Sequence, residues 1–338
     1  MIGIVGFGKL GHALARVLRN HSYGVEGVDT SPERQLAGSI DCFTVTSNTA
    51  NLKACDLIFV VVNTACPDGY RYYNLEAALE SLQGFDCPVV ISSTCEPKFF
   101  QDHPDLRVVY NPFFIRQGVI EEDLQHPDLV LIGDDYDLAW PLMRLWAHVL
   151  PRSQGCGSPI EKTSIINAAV TKLAINTYLA MKISYANMVG DLCVRLGAEP
   201  DRVLELVGQD KRVNPRYLKY GFGYGGPCLP IDVEAMQRTL NQNSFRPALA
   251  DAVATENRLH LLFQVQDFMR QHDPNEPTTI SDVAYREGTD ILVRSQQLGF
   301  AVALMEFGYR VTLCATLSII EQVQSLYGSK FSYEIHPD

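Results

Sequence analysis

Met1-Ile2-Gly3-Ile4-Val5-Gly6-Phe7-Gly8-Lys9-Leu10-Gly11 is a short apolar run that ends in three glycines spaced G-x-G-x-x-G. Leu10, Leu14, Val17 and Leu18 then recur at helical spacing, so the stretch predicts strand, glycine turn and helix. A second apolar run, Val25 to Val28, closes on Asp29. That places an acidic side chain 23 residues after Gly6 (29 − 6), close to the interval at which a carboxylate meets the ribose hydroxyls of a dinucleotide. Each residue has a physical reason. Gly6 makes the turn, Gly8 admits the pyrophosphate to the main chain, and Gly11 lets helix and strand pack. Lys9 and Leu10 open a helix whose N-terminus supplies donors and partial positive charge. Asp29 would repel a 2′-phosphate, which favours NAD over NADP. Arg34, five residues on, is a cation that either lies along the adenosine or reopens that choice.

Farther out, apolar β-like runs follow at 43–46, 57–63, 89–92, 108–110 and 129–132, with helix-compatible stretches between the earlier ones. The alternation predicts an α/β fold, a doubly wound, largely parallel sheet with ligands at the carboxyl ends of its strands. Asn63-Thr64, Ser93-Thr94 and Asn111-Pro112 come just after three of these strands. They become candidates for the nicotinamide end of the site, although each alone reads equally as a turn or cap.

The chain has 338 residues, of which 46% are hydrophobic, enough for two or three cores. A net charge of −11 argues against nucleic acid or an anionic membrane as the main partner, while leaving room for a local basic pocket. A strand signature at Met1 leaves no space for an export segment, and no apolar run reaches membrane-spanning length. A cytoplasmic protein is expected. Nine cysteines, odd in number and without paired metal spacing, point to reduced thiols rather than a disulfide framework or a metal site.

Residues 161–196 form a long helix-compatible run, unbroken by Pro or Gly until Gly190, expected to connect two domains. Lys172 and Asn176 are four apart on it, hence on one face, where an ammonium and an amide could address one oxygen. A solvated lysine beside a polar neighbour is the bland alternative. A shorter helical pattern at 201–207 precedes Asp210-Lys211-Arg212-Val213-Asn214-Pro215-Arg216-Tyr217-Leu218-Lys219, a basic and aromatic stretch able to neutralise phosphates or simply to face water. Next comes Gly221-Phe222-Gly223-Tyr224-Gly225-Gly226-Pro227-Cys228-Leu229-Pro230-Ile231-Asp232. Such a composition suits neither helix nor strand and predicts a backbone-rich loop whose N–H groups surround a thiol. Cys228 is therefore a candidate nucleophile, against the ordinary reading of a buried structural cysteine.

Taken together and in this order, these landmarks resemble the nucleotide-sugar 6-dehydrogenase family, which contains the UDP-glucose and GDP-mannose dehydrogenases. The resemblance covers most of residues 1–245, with the glycine fingerprint, Asp29 and Arg34, Val62-Asn63-Thr64, Ser93-Thr94, Asn111-Pro112 with Gly118, His126-Pro127-Asp128, Lys172 with Asn176, Arg212, and Gly225-Gly226-Pro227-Cys228 through Asp232. It implies a Rossmann domain (1–155), a central helical, dimerising domain carrying the cysteine loop (156–262), and a shortened nucleotide-binding-like α/β domain (263–338). The implied reaction oxidises the primary alcohol of a sugar nucleotide to a carboxylate with two NAD, through an aldehyde captured by Cys228 and a thioester that water hydrolyses. By the same resemblance Lys172 and Asn176 stabilise an oxyanion, and Thr94 and Asp232 hold or activate water. Gly6, Gly8, Lys9, Leu10, Gly11, Asp29, Arg34, Asn63, Thr64, Ser93 and Thr94 would bind NAD. Phe114, Ile115, Arg212, Tyr217, Lys219, Gly225 and Arg294 would face the substrate, with Arg212 reaching it from a neighbouring subunit of a homodimer.

The departures are specific. The family's Asn-Pro-Glu-Phe-Leu-x-Glu-Gly stands here as Asn111-Pro112-Phe113-Phe114-Ile115-Arg116-Gln117-Gly118, so both acidic positions are uncharged. Loss of a general base slows proton transfer by roughly a hundred- to ten-thousand-fold, and thioester hydrolysis is the step most exposed. A homologue that stops at the aldehyde or thioester, or that binds NAD without catalysis, is the alternative expectation. Lys-Asp after the cysteine becomes Ile231-Asp232, Arg-Glu-Ser becomes Val293-Arg294-Ser295, and a glycine expected after the last domain's first strand is Asp282.

Overall fold

The computed structural model describes residues 1–66, 69–151 and 159–335. The chain divides into two compact units, Met1–Leu173 and Ala174–Asp338.

In the first unit, β1 (Ile2–Val5), α1 (Lys9–Asn20), β2 (Val25–Val28), α2 (Pro32–Ile40), β3 (Thr44–Thr46) and β4 (Leu57–Val60) follow one another, with a 3-10 turn at Thr49–Ala54 before β4. A two-strand hairpin, β5 (Ala65–Cys66) and β6 (Gly69–Tyr70), leads to α3 (Tyr73–Ser81), β7 (Val89–Ile91), α4 (Pro97–Asp102) and β8 (Val109–Tyr110). Then come α5 (Ile120–Gln125), β9 (Val130–Gly133), α6 (Trp140–Val149), β10 (Ile160–Thr163) and the start of α7 (Ile165–Leu196). The eight strands outside the hairpin form one sheet in the order β10-β9-β8-β7-β4-β1-β2-β3. All neighbours are parallel except β8 and β9, which meet antiparallel at Tyr110 and Gly133. The expected doubly wound Rossmann sheet is thus present, with its order reversing beside β1.

Alternation along the strands builds a core on each face. Ile2, Ile4, Phe59 and Val90 pack with Leu14, Leu18 and Trp146 on one side. Val5, Ile58, Val60 and Ile91 pack with Leu75 and Phe99 on the other. Small residues allow the close approaches: a Cβ on Gly27 or Gly38 would stand 2.6 or 2.3 Å from Phe7 or Val45 respectively.

Two boundaries differ from the sequence-based expectation. The helical run begins at Ile165, because residues 160–163 pair with β9 as a strand. Ser164 ends that strand and its hydroxyl accepts a 3.2 Å hydrogen bond from the Asn167 N–H, a helix-capping contact that hydrophobic periodicity does not reveal. The run expected at 57–63 ends at Val60, although Val61 and Val62 still pack against the two cores.

The second unit holds the remainder of α7, then α8 (Pro200–Gln209), α9 (Leu229–Gln242) and α10 (Ala248–Gln271). It ends in β11 (Thr278–Ser281), α11 (Gln296–Glu306), β12 (Val311–Ala315), α12 (Leu317–Tyr327), a 3-10 turn at Gly328–Lys330 and β13 (Ser332–Ile335). The three strands pair in parallel, β11-β12-β13. Val283, Leu298, Leu304, Leu313, Ile320 and Val323 fill the core beneath them. Among the described residues, no helix is long and apolar enough to cross a membrane. The described cysteines carry no disulfide; Cys156 lies outside the described residues.

Candidate active site

The glycine turn leaves no freedom for larger residues. Gly6 has φ +96°, and a Cβ there would stand 2.5 Å from the Val61 carbonyl oxygen. A Cβ on Gly11 would be 2.0 Å from the Gly6 oxygen. At Gly8 the nearest group is instead the Arg34 guanidinium carbon, 3.7 Å away, so this residue keeps an open side at the helix entrance. Gly8 caps α1 without a side-chain bond, and a helix N-terminus of this kind, with exposed Lys9 and half-buried Leu10 in its first turn, favours an anion. Asp29 is 5% exposed. Its carboxylate accepts from the Phe7 N–H at 2.7 Å, the Ser31 N–H at 2.9 Å and the Arg34 guanidinium at 3.4 Å. A glycine cradle that side chains would fill, with a carboxylate fixed at its far rim, fits a dinucleotide.

The strand ends beside this cradle are tied together. The Ser93 hydroxyl donates to the Val62 carbonyl at 2.7 Å, and the Thr64 hydroxyl donates to the Thr94 carbonyl at 2.9 Å. The Asn63 side chain, exposed, donates to the Ala65 carbonyl and accepts its N–H. Two residues on lies an acid that the sequence reading passed over. Glu96 is buried, and its carboxylate accepts a 3.1 Å hydrogen bond from the Tyr72 hydroxyl. Burial, followed by the Glu96 charge, pushes the Tyr72 phenol well up from its usual range. An acid directly after Thr94-Cys95 at a strand end was the available signal.

Phe113 does not face open space. Its ring, 8% exposed, packs against Phe59 and Trp146. The Trp146 indole donates to Asn111 at 3.0 Å while Asn111 donates to the Leu131 carbonyl at 2.9 Å. The uncharged residue at 113 thus completes a core. Gln117 is half-buried, and Ile115 is a partly buried neighbour of that core. Lys172 is 6% exposed. Its ammonium donates to the Phe113 carbonyl at 2.9 Å and lies 5.0 Å from the Phe114 ring centroid, an arrangement that keeps a buried cation solvated by a carbonyl and a π face.

In the second unit the cysteine loop is pinned at several places. Gly226 has φ +79°, and a Cβ there would meet the Tyr285 ring at 2.4 Å. A Cβ on Gly225 would stand 2.4 Å from the Arg294 carbonyl oxygen, and the Gly226 N–H donates to the Val293 carbonyl at 3.1 Å. Asn257 holds Tyr224 by accepting its N–H at 2.9 Å and donating to its carbonyl at 3.0 Å. Cys228 caps α9 and its side chain is exposed. One turn later Asp232 is 1% exposed and receives a hydrogen bond from the Asn176 amide. Burial, then the neighbouring Cys228 thiol, raises the Tyr285 hydroxyl, with Arg286 opposing.

Other expected substrate residues are held differently. Arg294 forks onto Glu234 of α9 at 2.7 and 3.1 Å. Arg212 forks onto Asp210 at 3.0 and 2.6 Å and is largely exposed. Tyr217, with φ +66°, and Lys219 are exposed. Among the described residues no group of His, Cys, Asp or Glu could hold a metal ion.

The family model for the central domain of the UDP-glucose/GDP-mannose dehydrogenase family matches residues 166–258, the segment containing Lys172, Asn176, Cys228 and Asp232. A UDP-glucose dehydrogenase structure from Pyrobaculum islandicum superposes with a TM-score of 0.86 at 26% identity, covering 100% of this chain and 86% of that one. The central segment of the chain, residues 166–258, belongs to the UDP-glucose/GDP-mannose dehydrogenase family. Within that family, UDP-glucose 6-dehydrogenase AglM of Haloferax volcanii is 30% identical over 210 residues, 60% of this chain and 47% of its own length. UDP-glucose 6-dehydrogenase of Rhizobium meliloti is 29% identical over 280 residues, 77% of this chain and 63% of its own. The chain therefore spans about half to three-fifths of these relatives. A UDP-D-ManNAc dehydrogenase of Pyrococcus horikoshii shares the fold, with a TM-score of 0.74 at 22% identity over 92% of this chain and 83% of that one.

Proposed function

We propose that this nucleotide-sugar dehydrogenase relative oxidises the primary alcohol of a sugar nucleotide using NAD, with Cys228 as the covalent nucleophile. The observation that carries this reading is the exposed thiol at the head of α9 with the buried Asn176–Asp232 pair one turn behind it. Gly6, Gly8 and Gly11 cradle the pyrophosphate and Asp29 with Arg34 takes the adenosine end. NAD, when bound, accepts one hydride in each of the two oxidation steps.

The chain's own residues handle the protons and the carbon. The alcohol loses hydride and a proton to become an aldehyde. Cys228 sulfur adds to its carbonyl carbon, and Lys172 and Asn176 donate to the resulting oxygen. Loss of a second hydride and a proton converts that adduct to a thioester. Water, held by Asp232 and Thr94, adds to the thioester carbon and expels the thiolate, so that one alcohol and one water give one carboxylate and two reduced cofactors. The apolar stripe Tyr178, Tyr185, Met188, Leu192 and Leu196 exposed along α7 supports a homodimer through that helix.

One observation favours a second outcome for the last step. Phe113 is buried in a core and Gln117 is neutral, so neither can act as the base for hydrolysis and the Cys228 thioester would persist. The test mixes the protein with NAD and a panel of nucleotide sugars while NADH absorbance is followed. A yield that falls from two NADH per sugar to no more than one in Cys228→Ala supports the reading; no NADH with any of them overturns it. Intact mass after one turnover then separates free enzyme from a long-lived adduct.

A further inference from the structure

The hydrogen-bond pattern around His260 gives that residue a part in positioning the cysteine loop. His260 lies on α10, is 1% exposed, and has both ring nitrogens engaged. Nδ1 lies 2.9 and 3.0 Å from the two carboxylate oxygens of Asp191 on α7. Nε2 contacts the main-chain carbonyl oxygen of Gly221, the first residue of the loop that carries Cys228. A carboxylate and a carbonyl only accept, so both nitrogens must donate, and the ring that satisfies this geometry is the imidazolium.

Further contacts converge on the same point. The Tyr220 hydroxyl donates to Asp191 at 2.9 Å and its ring stands edge-on to His260, centroids 5.6 Å apart. Gly190 of α7 makes room for that ring, since a Cβ there would sit 1.9 Å from it. The Gly221 N–H donates to Asn187 at 3.1 Å, and Gln264 donates to the Gly221 carbonyl at 3.3 Å. The titratable groups facing the cluster are Asp191 and Cys193 on α7, Tyr220 on the loop and Asp267 on α10. Asp267 is already paired with the Arg270 guanidinium at 2.8 Å, so Asp191 is the carboxylate that faces the ring.

We propose that His260 is a positioning residue: as an imidazolium paired with Asp191 it clamps the Gly221 carbonyl and thereby fixes the start of the loop that presents Cys228. Loss of its proton leaves a lone pair facing the carbonyl and releases that end of the loop. The effect on turnover rests on the role proposed for Cys228; the effect on loop order does not.

The test uses the full chain and two readouts that need no substrate. Ring 15N spectra at neutral pH should show two protonated nitrogens for His260, and amide protection of residues 221–232 should fall by at least about tenfold across the pH range in which that imidazolium signature is lost. In His260→Gln the amide can reach only one of the two acceptors, so loop protection should be low and lack that pH step. A neutral ring at pH 7, or loop protection that ignores the state of the ring, overturns the proposal. The wild-type spectra decide the matter even where the variant fails to fold, and sugar oxidation can fail without moving either readout.

Discussion

The Lys172 ammonium donates a 2.9 Å hydrogen bond to the main-chain carbonyl of Phe113. That contact joins the residue proposed to stabilise the oxyanion to the position at which the family's acid is absent. Among the described residues it is not ion-paired with any carboxylate, so its charge is held by a carbonyl and the Phe114 ring.

Lys172→Met should consequently separate stability from activity. Removing a buried cation that lacks an ionic partner costs little, and the unfolding free energy from urea titration should stay within about 1.5 kcal/mol of wild type. NADH formation should fall by roughly 10²- to 10³-fold. A strongly destabilised variant with a wild-type rate would show Lys172 to be structural.

Restoring acids at the two departed positions should give opposite results. Phe113→Glu would bury a carboxylate between Phe59 and Trp146 and lose the ring's packing, a cost of at least about 3 kcal/mol. Gln117→Glu, at a half-buried site, should fold normally and shorten the lifetime of any Cys228 adduct seen by intact mass. Equal stability of the two variants would contradict the placement of Phe113 in the core.

Much of this was legible in the chain itself, for identifiable reasons. Steric demands at Gly6, Gly11 and Gly226 admit only glycine, so the cradle and the cysteine loop could be read from composition. Short apolar runs and period-3.6 patterning pointed to the sheet and its helices. What escaped depends on contacts between residues distant in sequence. Glu96 with Tyr72 is 24 residues apart, Arg294 with Glu234 is 60, and His260 with Asp191 is 69; no local pattern announces such pairs. Phe113 was read as a lost acid, whereas its ring's partners, Phe59 and Trp146, lie far along the chain in either direction.

At the cofactor cradle, Gly11→Ala places a methyl against the Gly6 oxygen and should abolish NAD binding by calorimetry. Asp29→Asn keeps an acceptor for the Phe7 N–H while removing a charge facing the cofactor. NADP should gain about tenfold relative to NAD, as expected for a like-charge repulsion of about 1 to 4 kcal/mol. An unchanged preference would place the adenosine ribose elsewhere.

Asp134 predicts an acid-sensitive element of stability in the first unit. Burial works to raise its pKa, yet the N–H groups of Tyr136, Leu138 and Ala139 and the Lys162 ammonium hold it below the usual range. A lowered folded pKa contributes stability that is complete above the unfolded value, about 3.9, and is lost as pH falls through the folded one. Urea midpoints measured from pH 5 downward should therefore drop more steeply in wild type than in Asp134→Asn. Parallel curves would contradict the assignment.

The claim at the centre is that Cys228 carries an NAD-dependent oxidation of a sugar nucleotide. Its most direct measurement is the NADH formed per enzyme active site in a single turnover with a nucleotide sugar, for wild type and Cys228→Ala. The account predicts two NADH per site in wild type and none beyond the aldehyde stage in the variant. NADH formation that is identical in the two proteins, or absent from both, would contradict it.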